Sequence, residues 1–269
     1  MSETYDPRVE VQGEGEGIVL VPGMDGTGRL FYKQTPLLAR SFKVATYALR
    51  NSATSMETLV ADLSRVIETV APTERQAIVI GESFGGALAL SLALAEPGRV
   101  RALVVLNSFP YFAPQFRLRA AIRGLEVMPW GAMGLIRRLT AFRLHSRHTH
   151  RQEVRRFMDL TAATTRDGYL NRLKVLTTYD VRDQLPELSC PTLFLAAERD
   201  HLVPSIAQAE YMAARVPGAV SRVLVGHGHI CLIAPDIDLA QILHEWRAEG
   251  SSRQQSLLSS ASGRQLTEN

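Results

Sequence analysis

The chain has 269 residues, 46% of them hydrophobic, which is enough to fill the core of one large α/β domain and excludes disorder of the whole. Thirty basic residues against 27 acidic ones give a net charge of +3, an excess too small to read as nucleic-acid binding despite a sequence pI of about 9.0. Two cysteines, Cys190 and Cys231, provide neither a disulfide framework nor a metal cluster, and no apolar run is long enough to span a membrane, so a soluble, cytoplasmic protein is expected.

After a polar start, apolar runs of strand length alternate with helix-like segments. Residues 17–21 (GIVLV), 43–49 (KVATYAL), 77–80 (AIVI), 102–106 (ALVVL), 192–196 (TLFLA) and 222–225 (RVLV) read as strands. Between them, residues 55–70 carry Met56, Leu59, Val60, Leu63, Val66, Ile67 and Val70 at helical spacing, and residues 205–216 and 236–250 also read as helices. The rhythm predicts an α/β fold, a mostly parallel sheet covered by helices on both faces. Residues 110–188 break it with several helix-like stretches and no strand, the mark of a helical cap inserted between two strands of a core made by residues 1–109 and 189–250. Residues 251–269, polar and serine-rich, are expected to be disordered.

The stretch VIGESFGGALAL (79–90) holds GxSxG at Gly81, Ser83 and Gly85, between a predicted strand and a predicted helix. In so sharp a turn a side chain at either glycine would collide with the neighbouring strand and helix, and Ser83 would be held strained and exposed. A serine hydroxyl becomes a nucleophile only with a base to take its proton, a carboxylate to orient the base, and amides to hold an oxyanion. On an open parallel sheet these belong in the loops at the carboxyl ends of the strands. Asp200 and Glu198 follow the predicted strand 192–196, and His227 and His229 lie in a glycine-rich turn after the strand 222–225, with His229 nearer the apolar ICLIA stretch. The loop PGMDGTG after the first strand is suited to give one oxyanion amide, that of Met24, with Phe84 giving the other. Gly23, Asp25 and the cap residue Trp130 are expected to contact substrate. The loop lacks the lysine of a phosphate-binding P-loop and the dinucleotide GxGxxG.

With Ser83, an acid and a histidine each after its own strand, residues 17–248 resemble the α/β-hydrolase superfamily, whose triad runs serine, acid, histidine. The spacing D-x-x-x-P from Asp200 to Pro204 resembles the acid loop of that family and favours Asp200 over Glu198. The parts are similar to small carboxylesterases of the pimeloyl-carrier-protein methyl esterase type. PGMDGTG and GESFGG also resemble a group of esterases, lipases and thioesterases that includes plant phytyl ester synthases. The resemblance implies a serine esterase acting through an acyl-enzyme, with no metal or organic cofactor. It also implies fewer strands than usual at the amino end, where RVEVQGEGEG would leave a frayed edge beside six strands.

Within residues 115–156 there are ten arginines and only two glutamates. That basic cap could dock an acidic acyl carrier, a CoA phosphate or an anionic lipid surface, and a small-molecule ester or thioester is the expected substrate. A thioesterase or acyltransferase, and a catalytically silent ligand-binding protein, are the competing readings. His145, His148 and His150 are too irregularly spaced for a good metal site.

Overall fold

The computed structural model describes residues 8–136, 144–146 and 149–265. Seven strands make one sheet: β1 (Val9–Gln12), β2 (Glu16–Val21), β3 (Phe42–Tyr47), β4 (Ala77–Glu82), β5 (Val100–Leu106), β6 (Thr192–Ala197) and β7 (Val220–Leu224), in the order β1-β3-β2-β4-β5-β6-β7. All neighbours are parallel except β1, which pairs antiparallel with β3 from Val9↔Tyr47 to Gln12↔Val44. The expected frayed edge is therefore a formed seventh strand. Its ladder with β3 supports it together with Val9, which packs against the core; the other three of its four side chains are exposed, and this is why no apolar run marks it.

Strands buried on both faces must be apolar throughout, and β4 and β6 are buried at every residue. Edge strand β7 alternates half-buried and exposed positions instead. Helix α1 (Gln34–Leu38) precedes β3, and α2 (Met56–Val70) turns Leu59, Leu63, Val66, Ile67 and Val70 inward. Ser55 caps α2 by accepting from the Thr58 N–H at 3.3 Å. Helix α3 (Phe84–Ala95), made of Ala, Leu and Gly after Phe84 apart from Ser91, is buried almost all round. It packs on β4 and β5, so the turn that starts it is fixed by the core on both sides.

Between β5 and β6 the chain makes α4 (Gln115–Val127), a 3-10 turn at Trp130–Ala132, α5 (Arg151–Thr161), α6 (Arg166–Val175) and a second 3-10 stretch, Arg182–Glu187. This insertion leaves and returns side by side, for Tyr111 bridges Asp180 and the Val181 N–H donates to the Pro110 carbonyl at 2.9 Å. Helix α7 (Ser205–Ala213) joins β6 to β7.

By its contacts the chain divides into two units, Met1–Ile237 and Asp238–Asn269, and the insertion belongs with the sheet in the first. The second holds α8 (Leu239–Gln265), opened by Asp238, whose carboxylate accepts from the N–H groups of Ala240 and Gln241 at 2.8 and 3.1 Å. Helix α8 includes residues 251–265 of the segment expected to be disordered, and residues 266–269 lie outside the described residues. Residues 251–262 contain neither proline nor glycine, and their polar composition does not forbid a helix. Among the described residues no helix is long and apolar enough to cross a membrane.

Candidate active site

Ser83 stands between the end of β4 and the start of α3 at φ 56°, ψ −119°, a backbone conformation that L-residues avoid. Hydrogen bonds to both sides of the turn hold it there: the Ser83 N–H donates to the Leu106 carbonyl at 2.9 Å, and the Ser108 hydroxyl donates to the Ser83 carbonyl at 2.7 Å. A Cβ on Gly81 would lie 2.3 Å from the Gly85 carbonyl oxygen, and one on Gly85 would lie 2.2 Å from that of Val21. The two outer glycines of the motif are thus where helix start and neighbouring strand meet the turn.

The His229 ring reaches both partners. Its Nε2 lies 3.1 Å from the Ser83 Oγ, and its Nδ1 lies 2.6 Å from the Asp200 Oδ2. The Asp200 carboxylate also accepts from the N–H groups of Leu202 and Val203 at 2.8 and 2.9 Å and from the Ser205 hydroxyl, so its loop is organised around it. Burial works to raise the Asp200 pKa, but hydrogen bonding and charge from His229, with its other donors, hold it below the ordinary carboxylate value. Burial likewise opposes an imidazolium at His229, yet Asp200, aided by Glu82, outweighs it and keeps the His229 pKa above 6.5. An imidazole bridging a hydroxyl and a buried carboxylate can accept the hydroxyl proton and have the resulting charge stabilised.

The alternatives lie elsewhere. Glu198 accepts from the Gly226 N–H at 2.7 Å, and His227 places Nδ1 2.9 Å from the Ser146 hydroxyl and Nε2 3.4 Å from the Asp236 carboxylate. His145 meets the Phe157 ring edge-on at 4.8 Å; His148 lies outside the described residues.

In the loop after β2, the Gly26 N–H donates to the Gly23 carbonyl at 3.0 Å, closing a turn with Met24 and Asp25 at its two central positions. The side chain of Phe84 is buried in the core, whereas its amide belongs to the first turn of α3, where N–H groups have no partner within the helix. Gly23 allows close approach of the serine turn, since a Cβ there would lie 2.8 Å from the Glu82 Oε2. Burial pushes the Glu82 carboxyl up to about 7, and burial raises Asp25 too, against hydrogen bonds from Thr27.

A cavity of about 600 Å³ opens over Ser83 and His229. Met24, Asp25 and Glu82 line it, and Leu30, Phe157 and Ile230 are among its apolar walls. Trp130, expected to contact substrate, is not on this lining. It packs instead against Tyr169, which is, with ring centroids 6.1 Å apart. Gly23 is also off the lining and acts through the room it leaves for Glu82.

Sequence reasoning missed Asn107. This fully buried residue at φ 48° donates from Nδ2 to the His229 carbonyl at 2.8 Å and accepts at Oδ1 from the Ala197 N–H at 2.7 Å. It thereby ties the end of β5 to the end of β6 and to the histidine turn. An asparagine directly after an apolar strand, tolerant of the left-handed region, was the available signal.

The family model described as the alpha/beta hydrolase family matches residues 18–242. A pimeloyl-[acyl-carrier protein] methyl ester esterase of Stenotrophomonas maltophilia is 28% identical over 252 residues, covering 90% of this chain and 96% of that protein. The polyketide synthase ThaQ of Burkholderia thailandensis is 30% identical over 234 residues, which cover 81% of this chain and 11% of the synthase. Among solved structures, a thermophilic esterase from Thermogutta terrifontis superposes with a TM-score of 0.79 at 23% identity, covering 90% of this chain and 93% of that one.

Proposed function

The chain belongs to the alpha/beta hydrolase family, and on that premise we propose that it is a serine hydrolase cleaving carboxylic esters of small or medium acyl groups. The observation that carries the reading is the His229 ring, with the Ser83 hydroxyl on one nitrogen and the Asp200 carboxylate on the other. His229 takes the Ser83 proton at Nε2 as Oγ attacks the ester carbonyl, and the amides of Met24 and Phe84 hold the oxyanion. Collapse expels the alcohol, which leaves with the proton from His229. Water, activated by the same nitrogen, then attacks the acyl-enzyme, and the acid departs with Ser83 restored. Asp200 stays ionised throughout and fixes the tautomer.

The mostly apolar cavity suits an acyl chain, and similarity to a methyl ester esterase supports an ester as the bond cleaved. The test is hydrolysis of p-nitrophenyl esters of graded acyl length, with fluorophosphonate labelling. Wild type is expected to cleave esters and take the probe, and Ser83→Ala to do neither. A wild-type chain inert to esters and thioesters alike would refute the reading.

A second reading, a thioesterase or acyltransferase on CoA-, carrier- or lipid-linked acyl groups, is favoured by the exposed Arg117, Arg119 and Arg123 of α4, which would meet an acidic carrier. Arg137 and Arg138 lie outside the described residues. Charge reversal at Arg119 and Arg123 is expected to raise KM for acyl-carrier substrates while sparing p-nitrophenyl esters, and unchanged KM removes the docking surface. The free, buried Cys190 and Cys231 support a reducing, cytoplasmic setting.

A further inference from the structure

We propose that Arg172, on helix α6 of the insertion, is a positioning residue for the reaction: it holds the turn that presents the Met24 N–H to the cavity. The inference rests on the reading of Met24 as an oxyanion donor. Arg172 is 1% exposed, and burying a guanidinium is unfavourable unless its donors are matched by acceptors. Two of those acceptors belong to this one loop. Its Nε donates to the Met24 carbonyl at 3.0 Å and one terminal nitrogen to the Asp25 carbonyl at 3.2 Å. The other terminal nitrogen lies 3.4 Å from the Asn51 Oδ1.

The loop is shaped to admit it. Gly26 sits at φ 69°, and a Cβ there would lie 2.6 Å from the Arg172 Cζ. The insertion adds a second hold, since the Thr164 hydroxyl donates to the Asp25 carbonyl at 3.2 Å. In a trans peptide the C=O and the following N–H point in opposite directions. With the Gly23 carbonyl turned toward the Gly26 N–H, the Met24 N–H faces away from the turn, and Arg172 fixes the next two carbonyls along. The insertion therefore contributes a side chain that sets the backbone of the oxyanion loop, in addition to walls for the cavity.

The test compares Arg172→Met, Arg172→Lys and Gly26→Ala with wild type, each shown to be folded by circular dichroism and thermal melting. Active sites are counted by the fluorophosphonate endpoint, so a loss of folded protein does not register as a loss of rate. For Arg172→Met, kcat per titrated site and the labelling rate are expected to fall about 10²-fold, the scale of losing an oxyanion donor. KM should move less than about threefold, as for an interaction made in the transition state. Arg172→Lys, which keeps the charge but not the fork of donors, should recover part of the loss. Gly26→Ala should reproduce the loss with Arg172 still in place. If Arg172→Met does not fold, the lysine and alanine variants decide, with labelling about tenfold slow or slower expected.

Labelling and kcat per site within about threefold of wild type in the folded variants, or a loss confined to KM, would overturn the proposal. If wild type takes the probe but cleaves no ester or thioester, the functional reading fails while the labelling rates still judge Arg172. If wild type takes no probe, both fall together.

Discussion

Replacing Glu82 by glutamine removes a titrating carboxyl from the serine turn while keeping its shape. Burial pushes this group from an ordinary 4.5 up to about 7, with the His229 charge opposing and the charges of Asp25 and Asp200 adding to the rise. In the unfolded chain it titrates near its ordinary value, so between these two pH values the folded state holds the proton more tightly. Its stabilising contribution is complete below pH 4.5 and is lost as pH rises through about 7. At about 1.4 kcal/mol per tenfold change in proton affinity, the gap corresponds to about 3 kcal/mol. Glu82→Gln does not titrate, so its stability relative to wild type should climb by about that amount from pH 4.5 to pH 8.5. Urea unfolding of both proteins at several pH values and constant ionic strength measures the difference. A difference that stays flat with pH, or falls, would refute the placement of a buried carboxyl at this turn. The same variant should move the acid limb of kcat/KM to lower pH, because Glu82 helps keep the His229 pKa raised.

Asp200→Asn should lower kcat by about 10³- to 10⁴-fold, because an amide cannot hold the His229 tautomer or its charge. For wild type, the acid limb of kcat/KM is expected above pH 6.5, since activity needs neutral His229 and its pKa is raised; a limb below that value would contradict the geometry. His227→Gln should keep kcat within about threefold of wild type while His229→Gln abolishes it, and steady-state kinetics on the pair checks which histidine is the base. Gly85→Ala should cost about 3 kcal/mol or more, because its Cβ would meet the Val21 and Pro22 carbonyl oxygens at 2.2 and 2.7 Å. Gly124→Ala on α4, with nothing within 4 Å, should instead stabilise by up to about 1 kcal/mol, and thermal melts of the two variants give opposite shifts.

What could be read from sequence follows from where each signal resides. Strands buried on both faces must be apolar without interruption, so β2, β4, β5 and β6 were visible as runs, and the strained serine turn between a strand and a helix was visible through its glycines. Edge strand β1 is held mainly by its ladder, with Val9 as its one partly buried side chain, and no apolar run in RVEVQ announces it. The positions of Asp200 and His229 beside Ser83 were approachable because loops at strand ends converge, though choosing between Asp200 and Glu198 took the family spacing. Contacts that cross the whole chain leave no local trace. Arg172 lies 147 residues from Asp25 and Asn107 lies 122 from His229, so neither the fork beneath the glycine loop nor the asparagine tie could be read from spacing. The surroundings of Trp130 are hidden in the same way: its packing against Tyr169, which lines the cavity, appears only in the fold.

The parallel pairing of β2 with β4, ending at Val21↔Gly81, has a consequence for how such a protein can diversify. The glycine loop and the serine turn leave adjacent strands, so the points where the two loops begin are set by the pitch of the sheet, about 4.8 Å. No side-chain substitution alters the distance between the two strands themselves, and inserting a residue into either would turn its exit to the opposite face. Variation is therefore expected in the cavity walls, most of them outside the sheet, while the strand ends that carry the serine turn and the glycine loop stay locked to the backbone lattice beneath.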